Sequence, residues 1–491
     1  MEDLKRRTIR SGLAKLCGQG VNFVLRISYL VVMARLLDPK DFGLVAMVTA
    51  ITGFYQLLTT GGLSIATIQK PVVTNEEISN LFWINLLVGT ALALLCLMTA
   101  PVLVKFYGDP RLFAITVISG AGFILASAGV QHSALLQRKL RFATMAVIET
   151  AANVAGVAVG IAMAVTGFGY WSLVAATIVT PAVSSIGVWM TTGWIPGLPR
   201  RNVEIASMLW FGSTLTLNGI VTYIAYNLEK VLLGRFWGAD ALGLYGRAYQ
   251  LINVPTDNLN SAVGGVAFSA LSRVQDNPAR YRSYFLTSYT LVNAITIPTT
   301  VFCAFFADEI VMIVLGQKWM EAVPIFRLLS PTVLIFGIIN PLGWMMMSIG
   351  LYARSLRIAL VLAPVVITAY VLGLPFGPTG VAFAYSAAMA LWLVPHVLWC
   401  IHGTVISPGD IFFAISRPLF AAVVAAICAF GVHWLIADWT TAPRVGVSAM
   451  TMMIVYTGCL LLGQGSNTLY MEVLRELRGA GLGFGMLFRN K

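Results

Sequence analysis

The sequence predicts an all-α integral membrane protein of about 14 transmembrane helices, on three observations. Of its 491 residues, 58% are hydrophobic and only 11% charged, against about 25% charged in a soluble chain. Apolar stretches run unbroken for the roughly 20 residues a helix needs to cross hydrocarbon, instead of alternating over about ten as in a transmembrane barrel. The links between them are short and polar, with no room for an extramembrane catalytic domain. Together these exclude a cytosolic enzyme, a secreted disulfide domain and a disordered chain.

The spans follow in order. The first, at 11–37, comes after the basic cluster Lys5, Arg6, Arg7 and Arg10 and lacks a clear cleavage site, so it reads as a retained span. Spans at 42–67, 79–104 and 112–136 lead to the basic turn Arg138–Arg141, and spans at 143–166 and 170–193 lead to Arg200 and Arg201. Spans seven and eight fall at 203–233 and 241–271, the latter with a kink expected at Pro255. Four more fall at 284–307, 321–348, 355–374 and 379–401, and the last two at 412–435 and 444–463. The tail, 465–491, reads as a weakly amphipathic cytoplasmic helix. Its Gly479–Gly485 run follows no strand and so is no dinucleotide loop.

Lys and Arg in the links set the orientation. With the N-terminus inside, the basic residues on the cytoplasmic side far outnumber the outer set of Arg35, Lys40, Lys105, Arg111, Lys230, Arg235, Lys318 and Arg444. Both termini are then cytoplasmic, and the net charge of +12 is a topology signal rather than a nucleic-acid one. The six cysteines (Cys17, Cys96, Cys303, Cys400, Cys428, Cys459) lie in apolar segments without a CxxC pair, and His396, His402 and His433 show no metal spacing. No Walker-type phosphate loop is present. Neither metal nor cofactor is expected, and no residue reads as catalytic.

An internal repeat organises the spans. Residues 31–47 align without gaps on 231–247, with Arg35, Gly43 and Leu44 falling on Arg235, Gly243 and Leu244. Further on, Arg138-Lys139-Leu140-Arg141 resembles Arg354-Ser355-Leu356-Arg357. Six spans separate the copies, so the halves share one orientation: two parallel-related six-helix bundles around a central cavity, plus two extra helices. The expected domains are 1–200, 201–403, helices 13 and 14 at 404–464, and the tail. Repeats of this kind place a transporter's substrate site between the halves.

Polar residues inside spans should face a cavity or a partner, because lipid forbids them. Lys15, Gln19, Asn22, Arg26 and Tyr29 recur at spacings of one helix face, as do Asn218, Thr222, Tyr226 and Glu229 in span seven. Span eight carries Arg247, Gln250, Asn253, Asp257 and Asn260 on one face. The cavity these would line leans cationic. Lys15, Arg26 and Arg247 are candidates to hold a diphosphate, since a guanidinium fork suits phosphate oxygens. The alternative is an internal pair of Arg26 or Arg247 with Asp257. Gln19, Asn22, Tyr29, Asn218, Thr222, Tyr226, Gln250 and Asn253 are candidate sugar contacts, and Asp257 and Glu149 candidate ion-coupling acids. Arg327 reads as a structural pair or a snorkelling side chain, and His132 as a hydrogen bonder near a loop. Trp83, Trp171, Trp237 and Trp319 read as interfacial anchors.

The segments ARLLDPKDFGLVAM (34–47), LFWIN (81–85), GVQHSALLQRKLRF (129–142) and LLGRFWGADALGLYGRAYQL (232–251) resemble the polysaccharide-exporter branch of the multidrug/oligosaccharidyl-lipid/polysaccharide flippase superfamily. The likeness is to its Wzx-type group for colanic acid, succinoglycan and related exopolysaccharides, and it extends to about residue 463. The resemblance implies a V-shaped cavity between two six-helix bundles, with cationic residues holding a diphosphate. The implied substrate is an undecaprenyl-diphosphate-linked oligosaccharide repeat unit, moved to the periplasmic leaflet of the bacterial inner membrane by a monomer that works beside polymerase and export machinery. Two departures stand out: Glu229 where relatives are expected to have an aspartate, and Ser269-Ala270 where a proline is usual. A flippase is therefore expected, with an ion-coupled multidrug antiporter of the same fold as the alternative. A membrane sugar polymerase or ligase would want a large outer loop that this chain lacks.

Overall fold

A computed structural model describes residues 20–59, 67, 73–199, 223–224 and 226–462, and every regular element among them is helical. Helix α1 covers residues 20–36. It is followed by α2 (Pro39–Thr59), α3 (Asn75–Tyr107), α4 (Arg111–Arg138), α5 (Phe142–Val165), α6 (Trp171–Thr192) and α7 (Leu228–Arg273). Then come α8 (Pro278–Phe305), α9 (Ala307–Val314), a 3-10 turn (Gln317–Ala322), α10 (Val323–Leu329) and α11 (Pro331–Ser348). The series ends with α12 (Tyr352–Gly373), α13 (Gly377–Ile401), α14 (Pro408–Leu435) and α15 (Thr441–Leu462).

Nine helical stretches among the described residues are long and apolar enough to cross a bilayer. One of them, Tyr352–Ile401, has 50 residues, about 75 Å of helix at 1.5 Å per residue. That is enough to cross twice, and the left-handed Gly377 (φ 72) divides it into α12 and α13. The nine stretches match expected spans 3–6 and 9–14. Spans 1, 2, 7 and 8 each include positions outside the described residues or side chains, as does the whole tail.

Two expectations about the elements are corrected. The tenth span is not one helix: α10 and α11 are separate, and Pro331, at the start of α11, has no N–H to continue the ladder. The break expected between spans seven and eight falls at Gly238 (φ 82, ψ −175), where two helical stretches meet at a kink within Leu228–Arg273. The same helix continues past Pro255. Trp319 is no interfacial anchor, being fully buried.

By internal contacts the chain forms two compact units. The first comprises Met1–Gly246, Leu315–Trp319 and Leu374–Pro378, and the second Arg247–Val314, Met320–Gly373 and Thr379–Lys491. In the first, α3 packs on α4, and α6 on α4 and α5. Helices lack a hydrophobic drive to associate in lipid, so close approach at small residues carries the packing. Gly89 faces Ser127, Gly120 faces Cys96 and Gly129 faces Ser185. Ser185 Oγ and Trp189 Nε1 then donate to the carbonyls of Leu125 (2.5 Å) and Ala128 (2.8 Å). In the second unit α8 packs on α11 and α14, and α14 on α15. The alanine face of α14 (Ala421, Ala422, Ala425, Ala429) closes on Ile297 and Phe306, and Tyr456 donates to the Ala294 carbonyl at 2.7 Å.

The repeat is visible in the backbone. Left-handed residues recur at Leu140 and Gly350, Gly167 and Gly377, Gly193 and Gly403, each pair 210 positions apart (350 − 140, 377 − 167, 403 − 193). The turns at the first pair carry the same hydrogen bonds. Lys139 N–H donates to Leu135 and Arg141 N–H to Leu136 in one, as Ile349 to Met345 and Leu351 to Met346 in the other. Arg138–Arg141 thus stands in the place of Ser348–Leu351, not of Arg354–Arg357. The second basic motif lies inside α12, so its similarity to the first is not positional.

Candidate functional site

In the first unit the polar face of α1 lies along α5. Asn153 Nδ2 donates to Asn22 Oδ1 at 3.1 Å, and a Cβ at Gly160 would meet the Tyr29 hydroxyl at 2.8 Å. The two contacts advance together, seven residues on each helix, so α1 and α5 run parallel. Arg26 lies between Asn22 and Tyr29 on that face, is exposed, and has no hydrogen-bond or ion-pair partner among the described residues. Glu149, one turn before Asn153 on α5, is also exposed. Sequence reasoning missed Asn153; its i, i+4 spacing from Glu149 was the available signal. Lys15, Gln19, Asn218 and Thr222 lie outside the described residues.

Before α7 the chain turns at 226–227, placing the half-buried Tyr226 in the turn. Asn227 Nδ2 donates to the Tyr223 carbonyl at 3.0 Å, and Lys230 Nζ to Asn227 Oδ1 at 2.6 Å. The Tyr223 hydroxyl reaches α2, donating to the carbonyls of Thr49 and Ala50 at 3.1 Å. Gly53 leaves room for that ring.

In the second unit Arg247 is half-buried and donates to Gln250 Oε1 one turn on. Asn253 follows on the same face, half-buried; the side chain of Asp257 is outside the description. Asn260 Oδ1 on that face and Thr256 Oγ1 one turn before it are buried and have no hydrogen-bond partner among the described residues. Tyr249 and Tyr385 rings lie 6.4 Å apart nearby.

The repeated segment 31–47/231–247 meets its own copy within the first unit. A Cβ at Gly43 would collide with the Ala239 carbonyl, and one at Gly243 with the Pro39 carbonyl. These are reciprocal contacts (239 − 39 = 243 − 43 = 200), the mark of a local two-fold relation. Around them Arg235 Nη1 donates to the Phe106 carbonyl at 2.5 Å, beside the left-handed Gly108. Its repeat partner Arg35 lies against Gly316, also left-handed. Trp319 Nε1 donates to Ala34 O at 2.7 Å, Lys318 pairs with Asp38 at 2.7 Å, and Trp237 Nε1 donates to Leu374 O at 2.8 Å.

Other expected residues are structural. Arg327 pairs with Asp308. His132 is buried, stacked 4.3 Å from Trp189, with Nε2 3.2 Å from the Trp194 carbonyl. His433 pairs with Glu309 at 3.0 Å and His396 accepts from Trp392 at 3.1 Å. Among the described residues no group of three or more His, Cys, Asp or Glu could hold a metal ion.

Comparison with known proteins follows the same lines. The family described as polysaccharide biosynthesis protein matches residues 32–324. The chain is 26% identical over 351 residues to the lipopolysaccharide biosynthesis protein WzxC of Escherichia coli (strain K12), covering 70% of each chain. It is 26% identical over 320 residues to the succinoglycan biosynthesis transport protein ExoT of Rhizobium meliloti (strain 1021), covering 65% of this chain and 64% of that one. Its fold is similar to that of the lipid II flippase MurJ in an inward closed conformation, with a TM-score of 0.76 at 14% identity, covering 94% of this chain and all of that one.

Proposed function

The chain belongs to the polysaccharide biosynthesis protein family, a family of multi-pass membrane transporters rather than enzymes, and from that premise we propose that it flips undecaprenyl-diphosphate-linked oligosaccharide repeat units from the cytoplasmic to the periplasmic leaflet. The proposed setting is the bacterial inner membrane, with both termini cytoplasmic. The proposed architecture is 14 spans in two parallel-related six-helix bundles around a central cavity, plus helices 13 and 14, working as a monomer by alternating access. Partners on this reading are the lipid-linked oligosaccharide, the bilayer, and the polymerase and export machinery. A sugar head and a diphosphate lose their hydration in hydrocarbon without compensation. A polar, cationic path replaces that water while the prenyl tail stays in lipid.

Arg26 carries the reading: a guanidinium on α1, exposed and unpaired among the described residues. A guanidinium so placed has a delocalised charge and a rigid donor fork to offer phosphate oxygens. With Arg247 and Lys15 it forms the proposed diphosphate site. Gln19, Asn22, Tyr29, Asn218, Thr222, Tyr226, Gln250 and Asn253 are the proposed sugar-facing groups. Asp257 and Glu149, the acids of the same faces, are proposed to take part in ion coupling.

The test is lipid mass spectrometry on a deletion strain, with sidedness read by an external sugar-modifying enzyme. The expected result is an intact diphosphate-linked repeat unit that accumulates facing the cytoplasm, cleared by the wild-type chain and at least tenfold more slowly by Arg26→Ala. Absence of accumulation, with sensitivity to cationic drugs instead, would assign the chain to drug export.

A further inference from the structure

Glu229 opens the first turn of α7, just after the turn at 226–227 that interrupts the helical path of the expected seventh span. It is 1% exposed, and among the described residues no side chain hydrogen-bonds to either carboxylate oxygen; the nearest donors are the backbone N–H groups of Glu229 and Lys230. Two neighbouring side chains are chemically able to supply one, and neither bonds to it here. The Lys230 ammonium is held by Asn227 Oδ1 at 2.6 Å. The Tyr223 hydroxyl points to the Thr49 and Ala50 carbonyls of α2. Among the described residues the ionisable groups acting on Glu229 are Lys230, on its own helix, and Tyr223, on the segment before it. What α2 presents at Tyr223 is backbone carbonyl and the Cα of Gly53.

A buried carboxylate whose charge is offset only by two backbone N–H groups and the adjacent Lys230 ammonium is disfavoured in its ionised form against its neutral one. A metal cation would relieve the charge only with further ligands. No cluster of three acids, histidines or cysteines exists among the described residues, and the neighbouring ammonium would repel a second fixed cation. A proton needs nothing but the carboxylate itself.

We propose that Glu229 is a proton-binding site, occupied in the arrangement described here and emptied when α7 rearranges to give the carboxylate water or Lys230. The proposal deepens the transport reading by naming an ion and its seat, and it rests on that reading only where transport is measured. The coupling follows from linkage. A proton held in one arrangement and released in the other shifts their ratio up to about tenfold per pH unit. Lys230 is the built-in counterweight. Released from Asn227, its ammonium stands one residue away from the newly ionised acid and stabilises the emptied state.

The first measurement is infrared difference spectroscopy on the full chain in lipid vesicles at neutral pH. A carboxylic-acid C=O band is expected in the wild type and in Glu229→Asp, and absent in Glu229→Gln. If Glu229→Gln leaves every such band unchanged, the site is not protonated and the proposal fails. The second is transport of the accumulated lipid-linked oligosaccharide in proteoliposomes under imposed gradients. A pH gradient should change the wild-type and Glu229→Asp rates and leave Glu229→Gln indifferent. Stimulation by a sodium gradient with no effect of pH would overturn the proton in favour of a metal cation. Failure of the flippase reading shows separately, as absence of accumulation in the deletion strain, and does not alter the infrared result.

Discussion

Single side chains in the links have effects that can be read without reference to transport. Asp109 lies in the turn between α3 and α4. Its Oδ1 accepts from the backbone N–H and Nε of Arg111, both at 3.0 Å, and its Oδ2 from Nη2 at 2.6 Å. The hydrogen-bonded guanidinium of Arg111 holds its carboxyl below the usual carboxylate range, against a smaller opposing effect of burial. A carboxylate with a lowered folded pKa adds stability above its unfolded pKa of about 3.9 and loses it as pH falls through the lower folded value. The wild-type thermal midpoint in detergent is therefore expected to drop across that acidic window by more than that of Asp109→Asn. At pH 7 the variant should be less stable by only about 0.5 kcal/mol, because Arg111 is 39% exposed and solvent screens the pair. Equal slopes for both proteins would show that the pair contributes nothing. The same local logic makes Arg26 and Glu229 stand out, since each lacks the partner that Asp109 has. Arg26 was legible in the sequence as part of a stripe. The isolation of Glu229 was not, because it depends on where Lys230 and Tyr223 send their donors.

Between elements, the repeat turns an otherwise ordinary turn into a test. Leu140 holds φ 55 where its counterpart is Gly350 at φ 76, and the two turns share their hydrogen bonds. A side chain in the left-handed region costs about 1–2 kcal/mol. Leu140 is 51% exposed, so replacing it removes little packing. Leu140→Gly is expected to raise stability by up to about 1 kcal/mol after the extra freedom glycine gains on unfolding, and Gly350→Leu to lower it by about 1–2 kcal/mol. Thermal melting of the two variants checks both signs; a destabilised Leu140→Gly would mean the turns are not equivalent. The copy at 31–47 and 231–247 was readable in the sequence because backbone closeness admits only glycine at 43 and 243, which leaves a letter-for-letter trace. The turn at 140 left no such trace, since one copy tolerates leucine. The basic motif of α12 drew the alignment six positions away. Likewise the break between α10 and α11 was invisible to hydropathy, because Pro331 interrupts the backbone without interrupting the apolar run.

Across the whole molecule, hydropathy was enough to identify a helical membrane protein and to place most spans, because every backbone group in lipid must be satisfied within a helix. It could not say which distant segments close on each other. Leu315–Trp319 and Leu374–Pro378, far along the chain, belong to the same compact unit as residues 1–246. The links there are specific: Trp319 on Ala34, Lys318 on Asp38, Trp237 on Leu374. If substrate moves by alternating access, contacts between the repeated segments must part during the cycle, and the reciprocal contact of Gly43 and Gly243 is a candidate to do so. The Lys318–Asp38 pair, 53% and 64% exposed, adds little stability by itself but is reachable from solvent. Cysteines at 38 and 318 in a Cys428→Ser background, joined by a cleavable thiol reagent, are expected to stop clearance of the lipid-linked oligosaccharide, and cleavage of the reagent to restore it. Clearance that continues with the link intact would mean that these contacts need not part during transport.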